Sequence, residues 1–208
     1  MGDFRGWPED CQRFFIGLEL DNSKKYFEAN RRIYDESVKA PMVALLTSLE
    51  KDYGTGKVFR PNRDIRFSKD KSPYKTNIAA TVGEGEKGGY LSLDARGFTV
   101  ATGRYMLAPE ELAKFRKKVA AESSGESLAT IVKKLAKSGY EIGGEELKRV
   151  PTGWPQDHPR EALLRRKALY VWKNFGLQPW LGSAAARKQV VKVWTDAEPL
   201  NDWFRRHL

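Results

Sequence analysis

Six lysines or arginines stand within the sixteen residues from Arg60 to Lys75, RPNRDIRFSKDKSPYK. Two aspartates share the stretch, so it carries a net charge of +4. A small, apolar or acidic residue separates each cation from the next. Arg63 and Arg66 lie three apart, and each guanidinium can grip a phosphate or carboxylate with two parallel donors. Lys71 and Lys75 add point charges, and Tyr74 offers a hydroxyl or a ring face for a base. Asp64 and Asp70 are placed to pair with neighbouring Arg or Lys and fix their rotamers. Asp64 is also a candidate catalytic carboxylate. Pro61 and Pro73 restrict the chain at both ends, which predicts a fixed loop presenting cations to an anion.

A second basic segment, 148–173, holds Lys148, Arg149, Arg160, Arg165, Arg166, Lys167 and Lys173 against Asp157 and Glu161, a net +5. The two segments together hold +9 of the chain's net +10. Clustering of this kind points to an anionic partner more strongly than total charge does. The expectation is that the segments converge, so that Arg149, His158 and Lys167 join Arg63, Arg66, Lys71, Tyr74 and Lys75 around one ligand.

Other chemistries find less support. One Cys and two His, far apart, make no zinc set. Asp64, Asp70 and Asp157 can hold Mg²⁺ beside a phosphate, but among so many cations carboxylate–guanidinium pairing is their simpler use. No metal and no cofactor is expected. A serine hydrolase elbow is lacking. His158 is read first as a loop-bracing residue and second as a general acid or base. Gly83–Gly89 matches G-x-G-x-x-G, but a strand pattern follows it where a dinucleotide site needs a helix, so a flexible hairpin is expected there.

The string RDIRFSKDKSPYKTN resembles the signature of a family of uncharacterised bacterial proteins, the domain-of-unknown-function 2461 family. LDNSKKYFEANRRIYD, LKRVPTGWPQDHP and LLRRKAL resemble other parts of that family's pattern. The resemblance covers nearly the whole chain and implies a fold and a set of positions, but no activity.

The length, 208 residues with 40% hydrophobic and 31% charged, suits one globular domain over 1–208. No apolar run approaches the ~20 residues of a membrane span, so no membrane partner is expected. The polar N-terminus and the single Cys11 fit a cytoplasmic protein. Periodicity predicts helices over 8–20 and 23–52, the second kinked by Pro41 near Lys39, then strands at 57–59, 76–82, 90–93 and 97–102. Helices over 109–121 and 126–137 follow, then an irregular 143–159, a short helix at 160–166, a strand at 168–175, and a helix from Ser183 to about 206, interrupted by Pro199. This order is not βαβ alternation. It implies an α+β fold with an antiparallel or mixed sheet and helices packed against it.

A small phosphate- or carboxylate-bearing ligand is the first reading of function, because the signature mixes acids, aromatics and prolines with its cations as pocket walls do. Nucleic acid on the same basic surface is the second, and phosphate contact of that kind needs only charge. A scaffold whose Arg–Asp network merely fixes a loop is the third.

Overall fold

The computed structural model describes residues 3–66, 69–83 and 89–208. Among them the fold is α+β, and six strands form one antiparallel sheet in the order β1-β2-β3-β4-β6-β5. The strands are β1 Gly56–Val58, β2 Asn77–Val82, β3 Gly89–Asp94, β4 Gly97–Arg104, β5 Glu141–Gly143 and β6 Leu169–Asn174. Contacts gather the described residues into two compact units. One comprises 3–66, 69–83, 89–100 and 174–192, the other 101–173 and 193–208.

In the first unit, α1 (Glu9–Leu20) follows Pro8 and opens with Glu9 and Asp10, where acidic groups favour the positive end of the helix dipole. It buries Cys11, Phe14, Phe15 and Leu18. Burial pushes the Cys11 thiol up to about 12. The helix expected over 23–52 is divided. Ser23 caps α2 (Lys24–Ala29) by accepting from the Tyr26 N–H, and the Asn30 side-chain amide then donates to the Tyr26 carbonyl (2.9 Å) at its end. After α3 (Arg31–Ile33) the chain widens into a π-helical turn, Tyr34–Lys39, and resumes as α4 (Ala40–Tyr53). Pro41, lacking an N–H, sits in the first turn of α4. The Ala40 N–H reaches back five residues to Asp35. The kink expected from Pro41 is thus a π turn just upstream, where an unusual spacing accommodates the missing donor.

The aromatic core of this unit links Phe14, Phe27 and Tyr34 at ring separations of 5.0–5.8 Å. Each large apolar side chain so buried contributes about 1.5–3 kcal/mol. At the start of α8 (Ala185–Asp196), Arg187 donates to the Ser48 carbonyl (3.0 and 3.2 Å) and pairs with Asp52, at the negative end of α4. β2 and β3 pair antiparallel from Asn77↔Asp94 to Val82↔Gly89, so a strand, not a helix, follows the glycine-rich stretch. The hairpin tip expected within that stretch lies at 84–88, outside the described residues.

In the second unit, α5 (Pro109–Ala120) and α6 (Glu122–Lys137) pack with α9 (Glu198–His207) around Phe115, Leu128, Trp203 and Phe204. α6 starts four residues earlier than its apolar pattern, because its first turn, ESSG, carries polar and small residues. Gly125 in that turn has a structural reason. A Cβ there would lie 2.1 Å from the Val119 carbonyl oxygen and 2.4 Å from Arg160 Nε. The short strand β5, two of whose neighbours are glycines, was not legible as a strand; it pairs with β6 from Glu141↔Trp172 to Gly143↔Tyr170. The Tyr170 ring lies over Gly143, filling the place of its absent side chain. Pro199 marks the expected break, and α9 begins around it as a separate helix.

Replacing an ordinary helical Gly by Ala stabilises by up to ~1 kcal/mol. Gly125→Ala is expected to do the reverse, costing about 1–3 kcal/mol through overpacking against backbone. Urea denaturation checks this, and a stability gain would show that the close approach is absent.

Candidate functional site

The described residues of the 60–75 segment close a hairpin neck. Asn62 bridges Tyr74, the Arg63 N–H donates to the Pro73 carbonyl (2.9 Å), and the Lys75 N–H donates to that of Pro61 (2.8 Å). The two prolines thus flank the neck and serve there as acceptors, needing no donor of their own. Asn22, between α1 and α2, holds the neck from outside. Its Nδ2 donates to the Tyr74 carbonyl (3.1 Å) and its Oδ1 accepts from the Tyr74 N–H (3.0 Å). The Tyr74 ring, 6% exposed, stacks on Phe27 with centroids 4.1 Å apart and planes within 5°. Tyr74 is therefore the anchor of the loop; its ring faces the core and not a base. Asn22 was not legible as a site residue, because it lies 52 positions from its partner inside a cluster of helix-cap types.

Beyond the neck the cations are organised by the loop's own acceptors. Arg66 meets Asp64 side-on, Nε to Oδ1 at 3.0 Å and Nη2 to Oδ2 at 2.7 Å, while its backbone N–H donates to the same Oδ1. Those bonds hold the Asp64 carboxyl below its ordinary range and raise the Arg66 guanidinium. Arg63 pairs with Asp70 at 3.0 Å. Asp70 also accepts from the Ser72 hydroxyl and N–H, which together with Arg63 lower its carboxyl. Lys71 Nζ rests on the Ile65 carbonyl (2.9 Å) and Lys75 Nζ on that of Arg60 (3.2 Å), beside the Phe59 ring. The expected pairing of both aspartates is thus present, Arg66–Asp64 at an exposed tip and Arg63–Asp70 with a half-buried arginine nearer the neck. The Arg66 side chain is 75% exposed and that of Asp64 45%.

The second basic segment lies in the other unit and has its own logic. Lys167 pairs with Glu145, and Arg166 with Glu146 at 2.7 Å while donating to the Gly143 carbonyl. These pairs accompany an edge ladder in which the Leu147 N–H donates to the Arg165 carbonyl and the Lys167 N–H to that of Glu145. Arg166, 13% exposed, is committed to that edge, whereas Lys148 and Arg149 are exposed. His158 Nδ1 accepts from the Arg160 N–H (3.0 Å) and its carbonyl accepts from the Glu161 N–H (2.8 Å), which starts the short helix α7 (Glu161–Leu164). This is the bracing role. Arg160, fixed in this way, reaches the C-terminal carbonyls of α5, with Nε on Val119 at 2.7 Å and Nη2 on Ala120 at 2.8 Å. A guanidinium there satisfies carbonyls that lack helical partners and complements the helix dipole. Sequence reasoning counted Arg160 only as a charge. Its signal is the nearby Gly125, which makes room for it.

Among the described residues no group of His, Cys, Asp or Glu is arranged to hold a metal ion, and no helix is long and apolar enough to cross a membrane.

Asn22→Ala is expected to lower stability by ~1–3 kcal/mol, since the Tyr74 N–H loses its partner and the Tyr74 carbonyl keeps only the long contact from Arg63 Nη2 (3.5 Å), and to speed amide exchange at 63, 74 and 75. Asp64→Ala, at the exposed tip, is expected to melt close to wild type. Calorimetry and hydrogen exchange on the two variants check the contrast between neck and tip.

A family model described as a conserved hypothetical protein, DUF2461, matches residues 10–203. No curated protein and no solved structure matches the chain.

Proposed function

The chain belongs to the DUF2461 family of conserved hypothetical proteins, and from that premise we propose that it binds a small anionic ligand, bearing phosphate or carboxylate, at the cationic tip of the 60–75 hairpin. The observation that supports this is the grip already formed there. Arg66 holds the Asp64 carboxylate with two parallel donors, at 3.0 and 2.7 Å, in the geometry an oxyanion ligand takes. Lys71 and Lys75 supply point charges on the same hairpin, each oriented by a backbone carbonyl. Tyr74 acts by anchoring, through Phe27 and Asn22, the frame that presents these groups. A frame set in this way costs little ordering entropy on binding.

Nucleic acid is the second reading, favoured by one specific observation, the exposure of Arg66 at the tip together with the exposed Arg60 and Lys69. A phosphate backbone can track such a surface without base contacts. For the second unit we propose Arg149, His158 and Lys167 as anion-binding residues in their own right, which the same titrations test.

A phosphate-bearing ligand at ~100 times its dissociation constant stabilises by ~2.7 kcal/mol, so it is expected to raise the melting temperature at constant ionic strength. Arg66→Ala abolishes that shift, and Arg149→Ala reduces it only if the second segment contributes. For nucleic acid, polymer affinity falls with salt at a log–log slope of about −0.7 to −0.9 per phosphate neutralised, and small anions compete only as bulk salt does. A slope of several units with no small-anion shift would replace the first reading by the second. If neither titration responds, the Arg–Asp network serves only to shape the loop.

A further inference from the structure

The hairpin tip meets any incoming anion with two carboxylates already in place. Asp64 occupies the Nε–Nη2 edge of Arg66 and accepts from the Arg66 backbone N–H, so one aspartate takes three donors of a single residue. Asp70 takes Arg63 at 3.0 Å and is itself steadied by Ser72. Resting on the anion-binding reading above, we propose that Asp64 is a built-in competitor that restricts the hairpin site to dianions such as phosphate monoesters and rejects simple carboxylates.

Two physical steps lead there. A carboxylate that displaces Asp64 exchanges one monoanion for another and gains no charge. It must also outcompete a group tethered two residues away, whose effective concentration is on the order of millimolar or above. A phosphate monoester is a dianion above its second pKa of about 6 and brings three strong acceptors. The hairpin carries six cations against two aspartates, a net +4, and a dianion feels that field twice as strongly as a monoanion. The phosphate therefore wins the exchange that the carboxylate loses. Arg66 holds the Asp64 carboxyl below its ordinary range, so the competitor stays ionised at neutral pH. Substitutions at 64 leave Arg60, Arg63, Lys69, Lys71 and Lys75 in place and raise the hairpin's net charge from +4 to +5, a change that favours a dianion over a monoanion, so a gain in acetate binding beyond the gain in methyl phosphate binding reads out the competitor.

The experiment titrates methyl phosphate and acetate, at pH about 7.5 and constant ionic strength, into the full chain, its Asp64→Asn variant and its Arg66→Ala variant. Binding is followed by calorimetry and by the amide and guanidinium resonances of the hairpin. Wild type is expected to bind methyl phosphate and to show no acetate binding. Asp64→Asn, which keeps an acceptor for the Arg66 N–H, is expected to bind methyl phosphate about two- to five-fold tighter and to acquire measurable acetate binding. Arg66→Ala is expected to bind neither. Asp64→Ser repeats the arm if Asn alters the turn. Equal methyl phosphate affinity with and without Asp64, or acetate bound by wild type as well as methyl phosphate, overturns the competitor role while leaving an anion site standing. No binding to wild type or to the Asp64 variants overturns the anion site itself, and the competitor with it.

Discussion

The two-point amide contact between Asn22 and the backbone of Tyr74 sets where the basic hairpin leaves the protein. A six-cation loop has little reason to lie against its own domain, since like charges repel and guanidinium groups lose solvation when buried. The neck therefore relies mainly on neutral means, with one long contact from Arg63 Nη2 to the Tyr74 carbonyl (3.5 Å). A primary amide satisfies one N–H and one carbonyl at once, and a tyrosine ring stacks on Phe27 within the aromatic cluster of the first unit. Past this neck no apolar anchor is needed, and the described tip residues are largely exposed.

Tip and edge solve the same electrostatic problem differently. In the hairpin, Asp64 lies two residues from the Arg66 it holds, and closure of the neck brings Asp70 to Arg63, so both pairs form within one local segment. At the β-edge of the second unit the balancing acids, Glu145 and Glu146, are about twenty residues from Arg166 and Lys167, and a backbone ladder aligns them. The exposed Arg66–Asp64 pair is held loosely enough to be exchanged, whereas a half-buried pair such as Arg166–Glu146 leaves an uncompensated charge when broken. The same residue types thus have different availability, set by depth and not by charge.

Much of this was legible from sequence where the signal is local and repetitive. The apolar spacing of Cys11, Phe14, Phe15 and Leu18 gave α1, and alternation gave β3. The mixed Asp and Arg spacing gave the pairs at the tip. What escaped depends on contacts between residues far apart or on side chains competing with backbone. The division of 23–52 at Asn30 comes from a side-chain amide taking a helical carbonyl, which periodicity does not register. β5 is three residues beside glycines and exists because β6 offers it a partner. Tyr74 read as an exposed recognition ring because its neighbours are polar, and Phe27, almost fifty residues earlier, is what claims it.

Cys11 is the chain's one cysteine, 3% exposed, with burial holding its thiol far from the reactive thiolate. A maleimide or a chromogenic disulfide can therefore attack only when α1 lifts from its bed. The rate of labelling under mild conditions then reports how often the first unit opens, at a single chemically unambiguous position and without any engineered probe. The chain carries its own clock for local unfolding, placed in the element that precedes the Asn22 clamp.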